Sequence, residues 1–158
     1  MNDQVSIHID APPEQVYRLI SDVPRMGEWS PECYQCEWLN SPANPGTATV
    51  GARFNAKNRK GHLRWSNQPE VIAAEPGREF AFRRTAPGAG EVIWRYRMTA
   101  RDDGTDLTES YEILRPASAP VRLMIRLLAR VPDRPADLHQ AMTTTLTRLK
   151  EAAETASK

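Results

Sequence analysis

The sequence predicts an α+β fold in which a curved antiparallel sheet of seven strands wraps around a long C-terminal helix, with two short helices after the first strand. Three observations carry this reading. From Cys33 to about Glu112, apolar and polar residues alternate between clusters of turn-forming residues. Towards the C-terminus, Leu138, Met142, Leu146, Leu149 and Ala153 recur at spacings of four, four, three and four, a single apolar stripe on a helix about five turns long. No repeat, low-complexity stretch or linker interrupts the chain, so its 158 residues are expected to form one domain.

Each element follows from its residues. Residues 4–10 place Val5, Ile7 and Ile9 on one face, the pattern of a half-buried strand. Asp10 is a candidate cap and the following prolines suit a first helical turn, after which Val16, Tyr17, Leu19 and Ile20 form the apolar side of a short helix. Pro24 ends it, and residues 24–30, with Met26 and Trp29 three apart, suggest a second short helical turn. Six strands are expected around Tyr34/Cys36/Trp38, Phe54/Ala56, Leu63/Trp65, Phe80/Phe82, Trp94/Tyr96/Met98 and Leu107/Glu109/Tyr111. Reversals are expected at Pro42 to Gly46, Asn58 to Gly61, Pro76-Gly77, Pro87 to Gly90 and Asp102 to Gly104. Ser118 with Pro120, and Asp133 with Pro135, mark the starts of two more helices. The second of these must bury its stripe, and the concave face of the sheet is the surface large enough to take it.

Composition narrows the functional classes. With 40% apolar and 26% charged residues the chain is of globular type rather than disordered. Twenty-one basic residues against twenty acidic ones leave a net charge of +1, which provides no general field for nucleic acid or anionic membrane. The apolar stretch around 119–131 is interrupted by Arg122, Arg126 and Arg130, so stable membrane insertion is not expected. The polar start Met-Asn-Asp-Gln lacks a signal-peptide core, and two cysteines form no disulfide framework; the expected location is cytoplasmic. No phosphate loop, dinucleotide fingerprint or Ser-centred elbow is present, and the three histidines make no metal spacing, so no cofactor, metal or catalytic residue is assigned. Cys33-Tyr-Gln-Cys36 has half the spacing of a zinc ribbon, but residues three apart on a regular strand face opposite ways, and the spacing reads as chance.

Five segments carry a wider likeness: Ile9-Asp-Ala-Pro-Pro-Glu-Gln-Val-Tyr17, Asp22-Val-Pro-Arg-Met-Gly-Glu-Trp29-Ser-Pro31, Trp94-Arg-Tyr-Arg97, Gly104-Thr-Asp-Leu-Thr-Glu-Ser-Tyr111, and Leu146-Thr-Arg-Leu-Lys-Glu-Ala. In order and spacing the chain resembles the polyketide cyclase/dehydrase-like branch of the START-like (SRPBCC) superfamily. The resemblance implies the helix-grip fold and a cavity between helices and sheet. It implies no particular reaction, since the superfamily includes lipid carriers, hormone receptors, cyclases and co-chaperones.

With the named strand faces turned to the long helix, Trp38, Phe54, Trp65, Phe82, Trp94, Tyr96 and Tyr111 converge on one volume, as cavity wall or as core. Trp29 joins them as a candidate ligand contact. Glu109 falls on the same face, where a carboxyl needs a partner or a raised pKa; Arg84 is its candidate partner, and a rim salt bridge or a strand shifted by one residue is the other reading. Met124, Leu128, Met142 and Leu146 are expected to form a lid and floor, or to be ordinary packing. Arg122, Arg126 and Arg130 form a basic stripe, either solvated or in transient contact with an anionic membrane. Two functions follow: a monomeric or homodimeric carrier of a hydrophobic small molecule, or a cyclase/dehydratase-type enzyme pairing Glu109 with Tyr111 or His139. A protein-interaction role is the third reading.

Overall fold

The computed structural model describes residues 2–40, 48–131 and 133–156. β1 (Asn2–Ile9) leads into α1 (Pro13–Ser21) and a short 3-10 helix (Val23–Glu28). There follow β2 (Cys33–Trp38), β3 (Phe54–Lys60), β4 (Leu63–Asn67), β5 (Glu70–Glu75), β6 (Glu79–Ala86), β7 (Gly90–Arg101) and β8 (Gly104–Arg115). Two helices close the chain, α2 (Ala119–Leu128) and α3 (Arg134–Ala156).

The helix-grip arrangement is as expected, but the described residues form eight strands in two sheets rather than seven in one. One sheet runs β1-β8-β7-β6-β5 and the other β2-β3-β4, and every pairing is antiparallel. They meet where Val71 donates its N–H to the Ala52 carbonyl and Phe54 to that of Pro69. The strand that periodicity missed is β5. Its text, Glu-Val-Ile-Ala-Ala-Glu, does not alternate, and its ladder to β6 slips between Val71 and Ala73, which destroys the period-2 signal. The expected reversal at Pro42 to Gly46 lies outside the described residues.

Turn chemistry accounts for the tight connections. Asp102 and Asp103 both take positive φ between β7 and β8, a conformation that Asp tolerates better than most residues. Gly90 opens β7 at φ +80°, and a Cβ there would lie 2.2 Å from the Arg115 carbonyl oxygen, so only glycine fits where these strand ends meet. Helix starts follow the sequence unevenly. Asp133 caps α3 as expected, its Oδ1 accepting the Ala136 N–H at 3.1 Å. Asp10 does not cap α1, whose N-cap is Pro12, and the Ser118 side chain makes no capping bond to α2.

The stripe on α3 divides into two functions along its length. Leu146, Leu149 and Ala153 enter the main core with Val16, Leu19 and Ile20 of α1 and Ile9, Phe80 and Leu107 of the sheet. Nearer the N-terminus, Met142 belongs to a separate cluster with Val92 and Tyr111, with Leu138 packed alongside. The core is thus dense at one end of the helix and thin at the other. α2 contributes no fully buried residue, and Leu123 and Leu127 stand 56% and 65% exposed. Among the described residues no helix is long and apolar enough to cross a membrane.

This division gives a contrast in stability. Leu149→Ala removes a fully buried side chain from the dense end and should cost about 2–5 kcal/mol in urea unfolding. Leu127→Ala on α2 should stay within about 0.5 kcal/mol of the parent.

Candidate functional site

At the thin end of the core lies a cavity of about 810 Å³, bounded by the inner faces of both sheets, the N-terminal half of α3 and one side of α2. Its walls come from cross-strand rows fixed by register. Phe82 pairs with Trp94, and Trp94 with Tyr111, giving one row across β6, β7 and β8. The Trp94 and Tyr111 rings stand 5.3 Å apart, as do those of Phe54 and Phe82, the latter edge to face.

The next row sets the polar chemistry. Tyr96 faces Glu109 directly across the β7–β8 ladder, and its hydroxyl donates to Glu109 Oε1 at 2.9 Å. Glu109 is only 4% exposed, and burial pushes its carboxyl up to about 8, opposed in part by the bond from Tyr96. Burial likewise pushes the Tyr96 phenol well up, reinforced by the neighbouring carboxyl. Glu109 Oε2 and the Tyr111 hydroxyl are both buried without a partner, and both residues line the cavity. The expected Glu109–Arg84 pair does not form, because β7 lies between β6 and β8; Arg84 instead donates to the Ala89 carbonyl at 3.3 Å. His139 is not available to Glu109 either, since its Nδ1 is 2.7 Å from Asp3 Oδ2.

Of the residues expected at the site, Phe54, Trp65, Phe82, Arg84, Trp94, Tyr96, Glu109, Tyr111, Met124 and Met142 line the cavity. The other four lie outside the lining. Trp29 and Leu146 are buried in the core, and Trp38 packs on that core edge to face with Phe54. Leu128 at the end of α2 is 43% exposed. The basic stripe is shorter than its spacing suggests: Arg122 and Arg126 border the cavity, while Arg130 lies past the end of α2 with φ +56°.

Sequence reasoning missed the ion cluster beside the cavity. Arg134 clasps Glu32 with two bonds of 2.7 and 2.9 Å and also reaches Asp137 at 2.8 Å, which Lys60 contacts at 2.6 Å. The Arg134–Asp137 contact is a local i,i+3 helix pair, but Glu32 is joined to Arg134 only by the tertiary fold. The cysteine reading is also corrected. A register shift between Cys33 and Gln35 turns both thiols to one side, and the buried sulfurs lie 2.9 Å apart, with Cys33 in the cavity wall. Their hydrogen bond lowers the pKa of Cys33 and, together with burial, raises that of Cys36.

Similar proteins agree with this architecture. The structure matches Zhui aromatase/cyclase from Streptomyces sp. R1128 with a TM-score of 0.75 at 18% identity, covering 100% of this chain and 96% of that one. A protein from Thermus thermophilus matches with a TM-score of 0.73 at 17% identity, covering 100% of both chains. Ginseng major latex-like protein 151 from Panax ginseng matches at 0.70 and 9% identity, covering 97% of each. At these identities the likeness is one of fold. No curated protein sequence matches the chain. Residues 4–154 match the family described as polyketide cyclase / dehydrase and lipid transport, and the chain belongs to that family.

Proposed function

We propose that this protein binds a hydrophobic small molecule in the cavity between its sheets and the N-terminal half of α3. The observation that carries the reading is an apolar-walled space of about 810 Å³ whose lining includes Glu109 and Tyr111, each with a buried polar atom, Oε2 and the hydroxyl, that has no partner. Apolar walls supply affinity through buried area, and a few bare polar groups supply orientation. With Glu109 neutral and Oε1 accepting from Tyr96, Oε2 carries the proton, and a small turn of the carboxyl would present it to an oxygen of the bound molecule.

The second reading, a cyclase/dehydratase-type enzyme, is favoured by the same carboxyl. A neutral acid bonded to a phenol in the wall of an apolar space is suited to protonating a carbonyl oxygen. Under that reading Glu109→Gln abolishes turnover of a ketone chain while leaving binding intact; under the carrier reading only affinity changes.

Two measurements test the proposal. Native mass spectra of gently purified protein, before and after organic extraction, should show an added mass that extraction removes. Independently, N-phenyl-1-naphthylamine, an uncharged apolar fluorophore, should bind at one site. Ala141→Trp, which fills the cavity from α3, should abolish that binding while leaving the unfolding free energy from urea titration within about 0.5 kcal/mol of the parent. Failure of the fluorophore to bind, or binding unchanged in Ala141→Trp, refutes the cavity reading.

The raised carboxyl also has a stability signature. Unfolding returns Glu109 to the ordinary value of 4.5, so between that pH and about 8 the folded chain holds one more proton than the unfolded chain. Stability attributable to Glu109 is therefore fully present below the lower value and falls as pH rises, by up to about 1.4 kcal/mol per pH unit. Urea titrations across this window should show that slope flattened in Glu109→Gln.

A further inference from the structure

The charges around the cavity are distributed unlike those of the chain as a whole. Against a net charge of +1 for the full sequence, the lining gathers Lys60, Arg84, Arg115, Arg122, Arg126 and Arg134 around only two acidic residues, Glu32 and Glu109. Burial raises the Glu109 carboxyl to about 8, so at neutral pH it is mainly protonated. Glu32 is occupied by Arg134 at both carboxylate oxygens, and Asp137 is shared between Arg134 and Lys60.

Arg84 is left without a counter-charge in contact. Among the described residues no carboxylate lies within ion-pair distance of it, and its hydrogen bond to the Ala89 carbonyl is a long one at 3.3 Å. It stands on the cavity face of β6, two residues from Phe82 and opposite Val92, so its half-buried guanidinium borders the apolar wall. Desolvation disfavours its charge, the nearby Arg134 adds like-charge repulsion, and Glu32 offsets this from a distance. A guanidinium does not escape by losing its proton; it is relieved by an oxyanion, and its planar fork matches the two oxygens of a carboxylate.

We infer that the bound molecule is an apolar carboxylate, its charged end held by Arg84 beside the cationic rim and its body lying against Phe82, Trp94 and Trp65. This rests on the reading that the cavity binds an apolar molecule, and goes beyond it by fixing the charge of the ligand. Tyr111 and Glu109, one and two rows along the sheet, remain for a second oxygen within the apolar body.

The test is displacement of N-phenyl-1-naphthylamine by decanoate and by 1-decanol, which share a chain length and differ in charge. Decanoate should bind about tenfold or more tightly than decanol, the scale of one charge-assisted hydrogen-bonded contact. Arg84→Gln should bring that ratio close to one by weakening decanoate alone, and Arg84→Lys, which keeps the charge without the fork, should retain an intermediate preference. Equal affinity for the two probes in the parent protein overturns the inference while leaving the cavity reading intact. A preference that survives in folded Arg84→Gln overturns the assignment to Arg84. If neither the fluorophore nor either probe binds, the cavity reading fails and the inference falls with it.

Discussion

The packing of the C-terminal half of α3 is the constraint on which the remaining structure depends. Leu146, Leu149 and Ala153 are locked into one core with α1 and the centre of the larger sheet, and this fixes the height and direction of the helix. Its N-terminal half packs on the sheet more sparsely, through Met142 and Leu138 against Val92 and Tyr111, and the cavity lies beside it. The cavity accompanies the half of the helix whose packing is the thinner. An interior packed throughout at ordinary density has no space of this size.

Once the helix is fixed, sheet register decides which groups meet in the gap. Because the side-chain period of a strand is two, the β7–β8 pairing that sets Trp94 opposite Tyr111 also sets Tyr96 opposite Glu109. A one-residue slip would send all four to the other face. The acid is therefore buried by the same register that buries the aromatics, and its neighbour across the ladder satisfies one of its two oxygens.

The fold was legible because its signals are local. Alternation in β1, β6, β7 and β8, and the stripe on α3, each reside in consecutive residues whose faces are set by period. β5 was hidden because its register slip broke the period, and the Cys33–Cys36 contact was hidden for the same reason in β2. Most of the cavity wall was likewise legible, since an inward strand face is known once the core side is known. Its limits were not. Trp29, Trp38 and Leu146 face inward as expected, but which part of the interior is filled depends on how far α3 stands from the sheet, a tertiary quantity. The partners of Glu109 and Arg84 depended on strand order, which alternation does not encode.

The loose attachment of α2 has a kinetic meaning. The helix borders the cavity through Val121, Met124 and Ile125 yet buries none of its residues fully, so swinging it aside sacrifices little packing. Elements with few buried contacts open at far lower free energy than the core unfolds. Under the proposed binding role, exchange through the mouth would be separated from global unfolding, and the residence time of a guest would be set by its own contacts with the wall rather than by the stability of the fold.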